Sequence, residues 1–180
     1  MVWLNDLLTM SMYAKLAKSA AEHLVRTNEP LPLPDNLPSE LYRQRACYVS
    51  ILENPGRYLR AMAGQPLPRQ ATLAEEIIAN TVSAIELSPH RVRQADLPYL
   101  SYSVGLLGPL QRVSDAEHLD PNRFGLYVKS DRGKSALLLP HRAGVETAND
   151  QIATAVREAG IDTRQEDATL YRFEVNYFDA

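Results

Sequence analysis

Two residues at the end of an apolar run have side chains that could carry chemistry. His141 and Arg142 follow directly after the run LLLP, residues 137–140. A histidine changes its charge between about pH 5 and pH 8, so it can accept or release a proton near neutrality. An arginine presents a planar fork of donors that fits a carboxylate or a phosphate. The pair predicts either a site with His141 as acid or base and an arginine anchor, or two solvated loop residues.

A second candidate lies in the run YLRAMAGQPLP, residues 58–68, where Arg60 is the charged side chain. Gly64 would let the backbone turn tightly or approach a ligand closely. Arg60, Gly64, His141 and Arg142 together predict a groove for a small anionic ligand. Cations at a partly desolvated site bind carboxylates or phosphates through strong, paired hydrogen bonds. The alternative for Arg60 is an ion pair on a strand surface.

The sequence lacks the motifs of the common metal and cofactor sites. Its four histidines do not stand at metal-ligand spacing, and Cys47 is the one cysteine. The triplet Gly133-Lys134-Ser135 lacks the preceding glycine and the following helix of a phosphate-binding loop. We therefore predict no metal and no cofactor.

Composition restricts the class of protein and of partner. The chain has 180 residues, 45% of them hydrophobic, and a net charge of -3. This acidic balance argues against a general nucleic-acid binder. No apolar run approaches the ~20 residues of a membrane helix, so no membrane partner is expected. The lone cysteine favours a reducing compartment, and we expect a cytoplasmic protein. The lack of heptads favours a monomer or a weak dimer.

Three main helices are predicted to position these residues. Apolar residues at helical spacing indicate the first helix within residues 1–28. Thr72 and Glu75 form a capping box at the start of the second. The third is expected to begin near Thr147 and to end at Gly160.

Alternating apolar and polar residues predict the strands between the helices. Residues 45–63 read as a hairpin, LSYSVGLL as a further strand, and FGLYVKS with SALLLP as a second hairpin. The run TLYRFEVNYF alternates throughout and predicts one closing strand. Hairpins outnumber strand–helix–strand units, which is typical of α+β proteins with a largely antiparallel or mixed sheet.

The expected organisation is a single domain over residues 1–180, with a smaller lobe. Residues 1–28 form the N-terminal helix. Residues 29–41 carry four prolines and form a stiff strap, because proline fits neither a helix interior nor a central strand. Residues 42–180 form the main body.

The order of these segments resembles the AMMECR domain family, also known as AmmeMemoRadiSam system protein A. The resemblance extends from about Lys15 to Phe178. The matching segments are ACYVSIL, LRAMAG, NTVSAI, DLPYLSYSVGLLGPLQRV, GLYVKSDRGKSALLLP and TLYRFEV. It implies an α+β fold with a main sheet and a smaller lobe, and an association with a Memo-like protein and a radical-SAM enzyme.

The chain departs from the family pattern in the run that contains Arg60 and Gly64. Where the family has Leu-Arg-Gly-Cys-Ile-Gly, this chain has LRAMAG, so Met62 stands in place of the cysteine. A thioether cannot replace a thiolate nucleophile. We therefore expect a non-catalytic binding or accessory protein with a groove for a small anionic ligand or a partner. The alternative is a small cofactor-independent enzyme that uses His141 as acid or base and arginines as substrate anchors.

Overall fold

The structure is a computed structural model that describes the backbone of residues 3–179 and the side chains of residues 12–179. The chain forms two compact units. The first runs up to Leu106 and resumes at Asn176, and the second comprises Leu107–Val175. The predicted α+β class is confirmed by three helices and two four-stranded sheets. The prediction of one domain over residues 1–180 stays a prediction.

The helices and strands follow one another along the chain as α1 (Trp3–Thr27), β1 (Cys47–Glu53), β2 (Tyr58–Gly64), α2 (Leu73–Glu86), β3 (Leu100–Leu107), β4 (Gln111–Val113), β5 (Gly125–Ser130), β6 (Ser135–Leu138), α3 (Ala148–Ala159), β7 (Ala168–Phe173) and β8 (Val175–Asp179). Residues 1 and 2 of the predicted N-terminal helix lie outside the described residues. Among those that are described, no helix has the length and apolar composition needed to cross a membrane.

The first unit is built on a sheet in the order β2-β1-β3-β8. Side chains along a strand alternate between the two faces. Val49 and Ile51 of β1 therefore point the same way, and both are fully buried. Ile77 of α2 and Val104 of β3 join them in one apolar core. This core holds α2 against β1 and against β2, the edge strand of the sheet.

The strap has no helix or strand until a short 3-10 helix at Ser39–Tyr42. Leu41 in that helix is buried in the core of the first unit. Leu31 and Leu37 of the strap also pack against this core, so apolar side chains attach the strap along its length.

The second unit has a sheet in the order β4-β7-β5-β6, with α3 against β5 and β6. The core of this unit lies between the sheet and α3. It contains Leu126, Val128 and Leu138 of the sheet and Ala155 of α3. Lys134 lies in the turn between β5 and β6. Its ammonium donates to Gly160 O at 2.8 Å and forms an ion pair with the buried carboxylate of Glu166. The Gly-Lys-Ser triplet thus contributes a lysine that ties this turn to the end of α3.

One strand prediction was wrong in its extent. The run TLYRFEVNYF forms two strands, β7 and β8, which belong to different sheets and break at Glu174. At the break, Glu174 O accepts a hydrogen bond from Gly108 N at 2.8 Å. The alternation continues through the break without a glycine or proline, so the sequence carries no local sign of the change.

We predict that Thr72→Ala lowers the stability of the protein by about 1 kcal/mol, because it removes the N-cap of α2. The Thr72 hydroxyl accepts from Glu75 N, and the Glu75 carboxylate accepts from Thr72 N. Urea unfolding measures the loss. Thr72→Ser keeps the hydroxyl and is the control; equal losses in both variants would contradict this role.

Candidate functional site

A cavity of about 490 Å³ opens at the edge of the first unit's sheet, between β2 and α2. We call it the Gly64 pocket. It is lined by Tyr48, Met62, Ala63, Gly64, Gln65, Arg69, Gln70, Glu76, Ala79, Asn80, Ser83 and Leu87. The α2 residues among them recur at intervals of three and four, so they form one stripe on the helix. A strand edge, a helix stripe and the loop that joins them therefore enclose the pocket.

Gly64 is required here by close packing between neighbouring strands. It pairs with Tyr48 on β1. A Cβ atom at Gly64 would lie 2.5 Å from Cys47 O and 2.5 Å from the Tyr48 ring. Any larger residue would push β2 away from β1 and alter the pocket wall. Met62, at the position of the family's cysteine, lines the same pocket.

The Glu76 carboxylate is the buried charged group of the pocket. Glu76 is 1% exposed. Its Oε2 accepts hydrogen bonds from the backbone N–H groups of Arg69 and Gln70, each at 2.8 Å. A buried carboxylate needs such donors, since burial removes the water that would otherwise solvate it. The two bonds hold the loop after β2 against α2.

Asn80 lies one helical turn after Glu76 and is also buried. Its amide nitrogen donates to Cys47 O at 2.9 Å and lies 3.5 Å from Glu76 Oε1. Because Cys47 O can only accept, these contacts fix which end of the amide carries the nitrogen. Asn80 lines the pocket, and among the described residues no donor reaches its amide oxygen.

Arg60 is engaged with the segment that follows α2. Its guanidinium donates to Ser88 Oγ and to Asp96 Oδ2, each at 3.3 Å, and to His90 O at 3.4 Å. The Arg60 side chain is 11% exposed. A backbone hydrogen bond from Arg93, with the Arg60 charge as a further cause, holds the pKa of Asp96 below its ordinary value. Arg60 thus fastens β2 to this segment, and it is not among the residues that line the Gly64 pocket.

His141 and Arg142 lie in the second unit, in the loop after β6. His141 has a left-handed backbone with φ 59°, and its N–H donates to Pro121 O at 2.8 Å. Its side chain is exposed. Arg142 pairs with Glu158 at 3.0 Å. The loop therefore presents an imidazole to solvent beside a paired guanidinium.

The predicted site residues thus fall into two groups. Arg60 and Gly64 belong to the first unit, and His141 and Arg142 belong to the second. That all four contact one ligand stays a prediction. Within residues 12–179, no three potential metal-ligating side chains gather in one place.

Three residues of the pocket were not predicted from the sequence: Arg69, Glu76 and Asn80. A signal was present for the last two: they stand four residues apart on α2, next to buried Ile77. Two polar residues at this spacing lie on one face of the helix. Because they lie beside the buried apolar face, their side chains need hydrogen-bond partners within the fold. The segment NTVSAI, which begins at Asn80, is also one of the segments that carry the family resemblance.

Comparison with known proteins identifies the family of the chain. The sequence model of the AMMECR1 family matches residues 14–178. The chain belongs to the AMMECR1 family. This confirms the family inferred from the sequence segments.

Members of the family with similar sequences occur in bacteria. A protein of Thermotoga maritima is 32% identical over 168 residues, which cover 92% of this chain and 96% of that protein. Protein CA_C1420 of Clostridium acetobutylicum is 32% identical over 91% of this chain, and the match covers 35% of its own length. The AMMECR1 sequence therefore also occurs as part of a longer protein.

The fold matches a solved structure. The crystal structure of the uncharacterized protein PH0010 from Pyrococcus horikoshii superposes with a TM-score of 0.81, covering 93% of this chain and 89% of that one. The two are 23% identical. This similarity confirms the fold.

We predict that Asp96→Asn lowers the thermal midpoint at pH 7 and that the loss disappears in acid. The pKa of Asp96 is lowered from its ordinary 3.8 in the folded protein. Its charged form therefore stabilises the fold above that value, and this contribution is lost as the pH falls through the folded-state pKa. Melting curves from pH 7 to pH 2 measure the difference from the unaltered protein. Asp35→Asn, in the strap, is the control; a difference that persists in acid would contradict this assignment.

We predict that Cys47 resists thiol reagents in the native protein, because burial raises its pKa to about 12 against the opposing hydrogen bond from Asn80. Met62→Cys places a second thiol in the half-buried wall of the Gly64 pocket. In that variant the new thiol should react and Cys47 should not, as peptide mapping after labelling would show. Rapid labelling of Cys47 in folded protein would overturn the prediction.

Proposed function

We propose that this AMMECR1 family member is a binding or accessory protein that holds a small anionic ligand, or an anionic group of a partner, in the Gly64 pocket. The observation that carries the proposal is the pocket itself. Its volume of about 490 Å³ lies in the usual range of ~300–1,000 Å³ for small-molecule sites. Such sites place a few oriented polar groups around the ligand, as Gln65, Gln70 and Asn80 are placed here.

Arg69 is the anion anchor in this proposal. It is exposed and lines the pocket, and it makes no ion pair with any described residue. Arg60, in contrast, already binds Asp96. An unpaired guanidinium can bind a carboxylate or phosphate through two parallel hydrogen bonds. That His141 and Arg142 also contact this ligand is a separate proposal, which rests on the sequence alone.

Two further proposals come from the family resemblance and from the loop after β6. Association with a Memo-like protein and a radical-SAM enzyme is proposed on the resemblance alone, and a native pull-down followed by mass spectrometry tests it. A second function, a cofactor-independent enzyme with His141 as acid or base, is favoured by the left-handed backbone of His141. Residues held in sparsely populated backbone regions cluster at functional sites. His141→Gln would abolish such an activity.

We predict that Arg69→Gln weakens the binding of small anions about tenfold, the value of one charge-assisted hydrogen bond. The probes are inorganic phosphate and a set of small carboxylates, titrated by calorimetry. Affinity should also fall as salt rises, because salt screens exposed charges.

Arg26→Gln removes an exposed arginine from α1, where it pairs with Glu22, and is the matched control. It should leave anion binding unchanged. The proposal fails if no anion binds the unaltered protein, or if the two variants lose affinity equally.

A further inference from the structure

We propose that the ligand of the Gly64 pocket is an amino-carboxylate, a small molecule that carries both an ammonium group and a carboxylate, as a free amino acid does. This inference rests on the proposed function and names its ligand class. The pocket presents acceptors on its inner wall and an arginine beside them.

The inner wall of the pocket presents hydrogen-bond acceptors. Glu76 and Asn80 both line it and both are buried. Glu76 Oε2 is occupied by two backbone donors, whereas Oε1 has only the long 3.5 Å contact with the Asn80 amide. The amide oxygen of Asn80 has no donor among the described residues. Both oxygens can therefore accept a hydrogen bond from a ligand that donates one.

The negative charge of Glu76 further restricts the class of ligand that the pocket can bind. A carboxylate only accepts hydrogen bonds, and its negative charge acts strongly where little water is present. An anion that carries no ammonium group would lie near this charge, so we expect it to bind Arg69 more weakly than an amino-carboxylate does. An ammonium group would instead pair with Glu76 and donate to Asn80, satisfying both open acceptors.

The anion site lies next to the acceptor site. The backbone N–H of Arg69 is bonded to Glu76 Oε2 at 2.8 Å. The Arg69 side chain therefore starts beside the carboxylate, and it is exposed at the pocket. Because the Arg69 backbone lies beside Glu76 and its side chain lines the same pocket, we expect a ligand with a short skeleton to reach both groups. An α-amino acid has this arrangement.

The rest of the pocket can take a side chain. Met62 and Leu87 supply apolar surface, and Leu87 is 69% exposed. An exposed leucine beside a polar cavity gains by contact with an apolar ligand group. The unbranched side chain of methionine adapts to ligand side chains of different shape.

Calorimetric titration of the unaltered protein with each of the twenty common L-amino acids tests the inference. The tightest binder is then compared with its deaminated acid and its decarboxylated amine. We expect the amino acid to bind at least tenfold more tightly than either analogue. An acid that binds as tightly as its amino acid would overturn the inference and leave the proposed function intact. If no amino acid binds while small carboxylates still bind, the inference is likewise overturned and the proposed function stands. If no anion of any kind binds, the proposed function fails as well.

Variants separate the two ends of the ligand. Glu76→Gln removes the negative charge and should bring the affinities for the amino acid and its deaminated acid close together. Arg69→Gln should weaken both ligands by a similar factor, and Arg26→Gln should change neither. A Glu76→Gln protein that is folded by circular dichroism and still prefers the amino acid tenfold would overturn the inference. The comparison of the amino acid with its two analogues uses the unaltered protein, so it tests the inference even if Glu76→Gln does not fold.

Discussion

The buried carboxylate of Glu76 is the constraint on which the site in the first unit depends. A charged group without solvent must be met by donors, and the nearest available are the backbone N–H groups of Arg69 and Gln70. Meeting this need fixes the loop after β2 against α2. The same loop closes the Gly64 pocket and carries the Arg69 side chain. One electrostatic requirement thus sets both the shape of the pocket and the location of its cation.

The second support of the pocket is the contact between α2 and β1. Asn80 reaches Cys47 O across 33 residues of chain, and Gly64 allows β2 to lie close to the Tyr48 ring. Both contacts sit beside the apolar core that contains Ile77 and Val49. Apolar packing brings α2 and the strands together. The hydrogen bond from Asn80 fixes which part of α2 lies beside Cys47. The pocket is therefore a consequence of how the edge of the sheet meets α2.

Local patterns in the sequence were enough for much of the fold. The alternation in β1, the capping box at Thr72 and the start of a helix near Thr147 are specified within a few residues, and the structure has them where they were predicted. The break at Glu174 was missed because it depends on which sheet each half of the run joins. Contacts between residues far apart in the sequence could not be predicted. Arg60 and Asp96 are 36 residues apart, and no local pattern pairs them.

The central claim is that a ligand binds in the Gly64 pocket, between Glu76 and Arg69. The most direct measurement is the nitrogen and proton NMR of the Asn80 side-chain amide and the Arg69 Nε group while amino acids are titrated in. The account predicts that both signals shift together and saturate at the same ligand concentration, while the Arg26 Nε signal stays in place. Unchanged Asn80 and Arg69 signals at a ligand concentration that saturates binding elsewhere on the protein would contradict it.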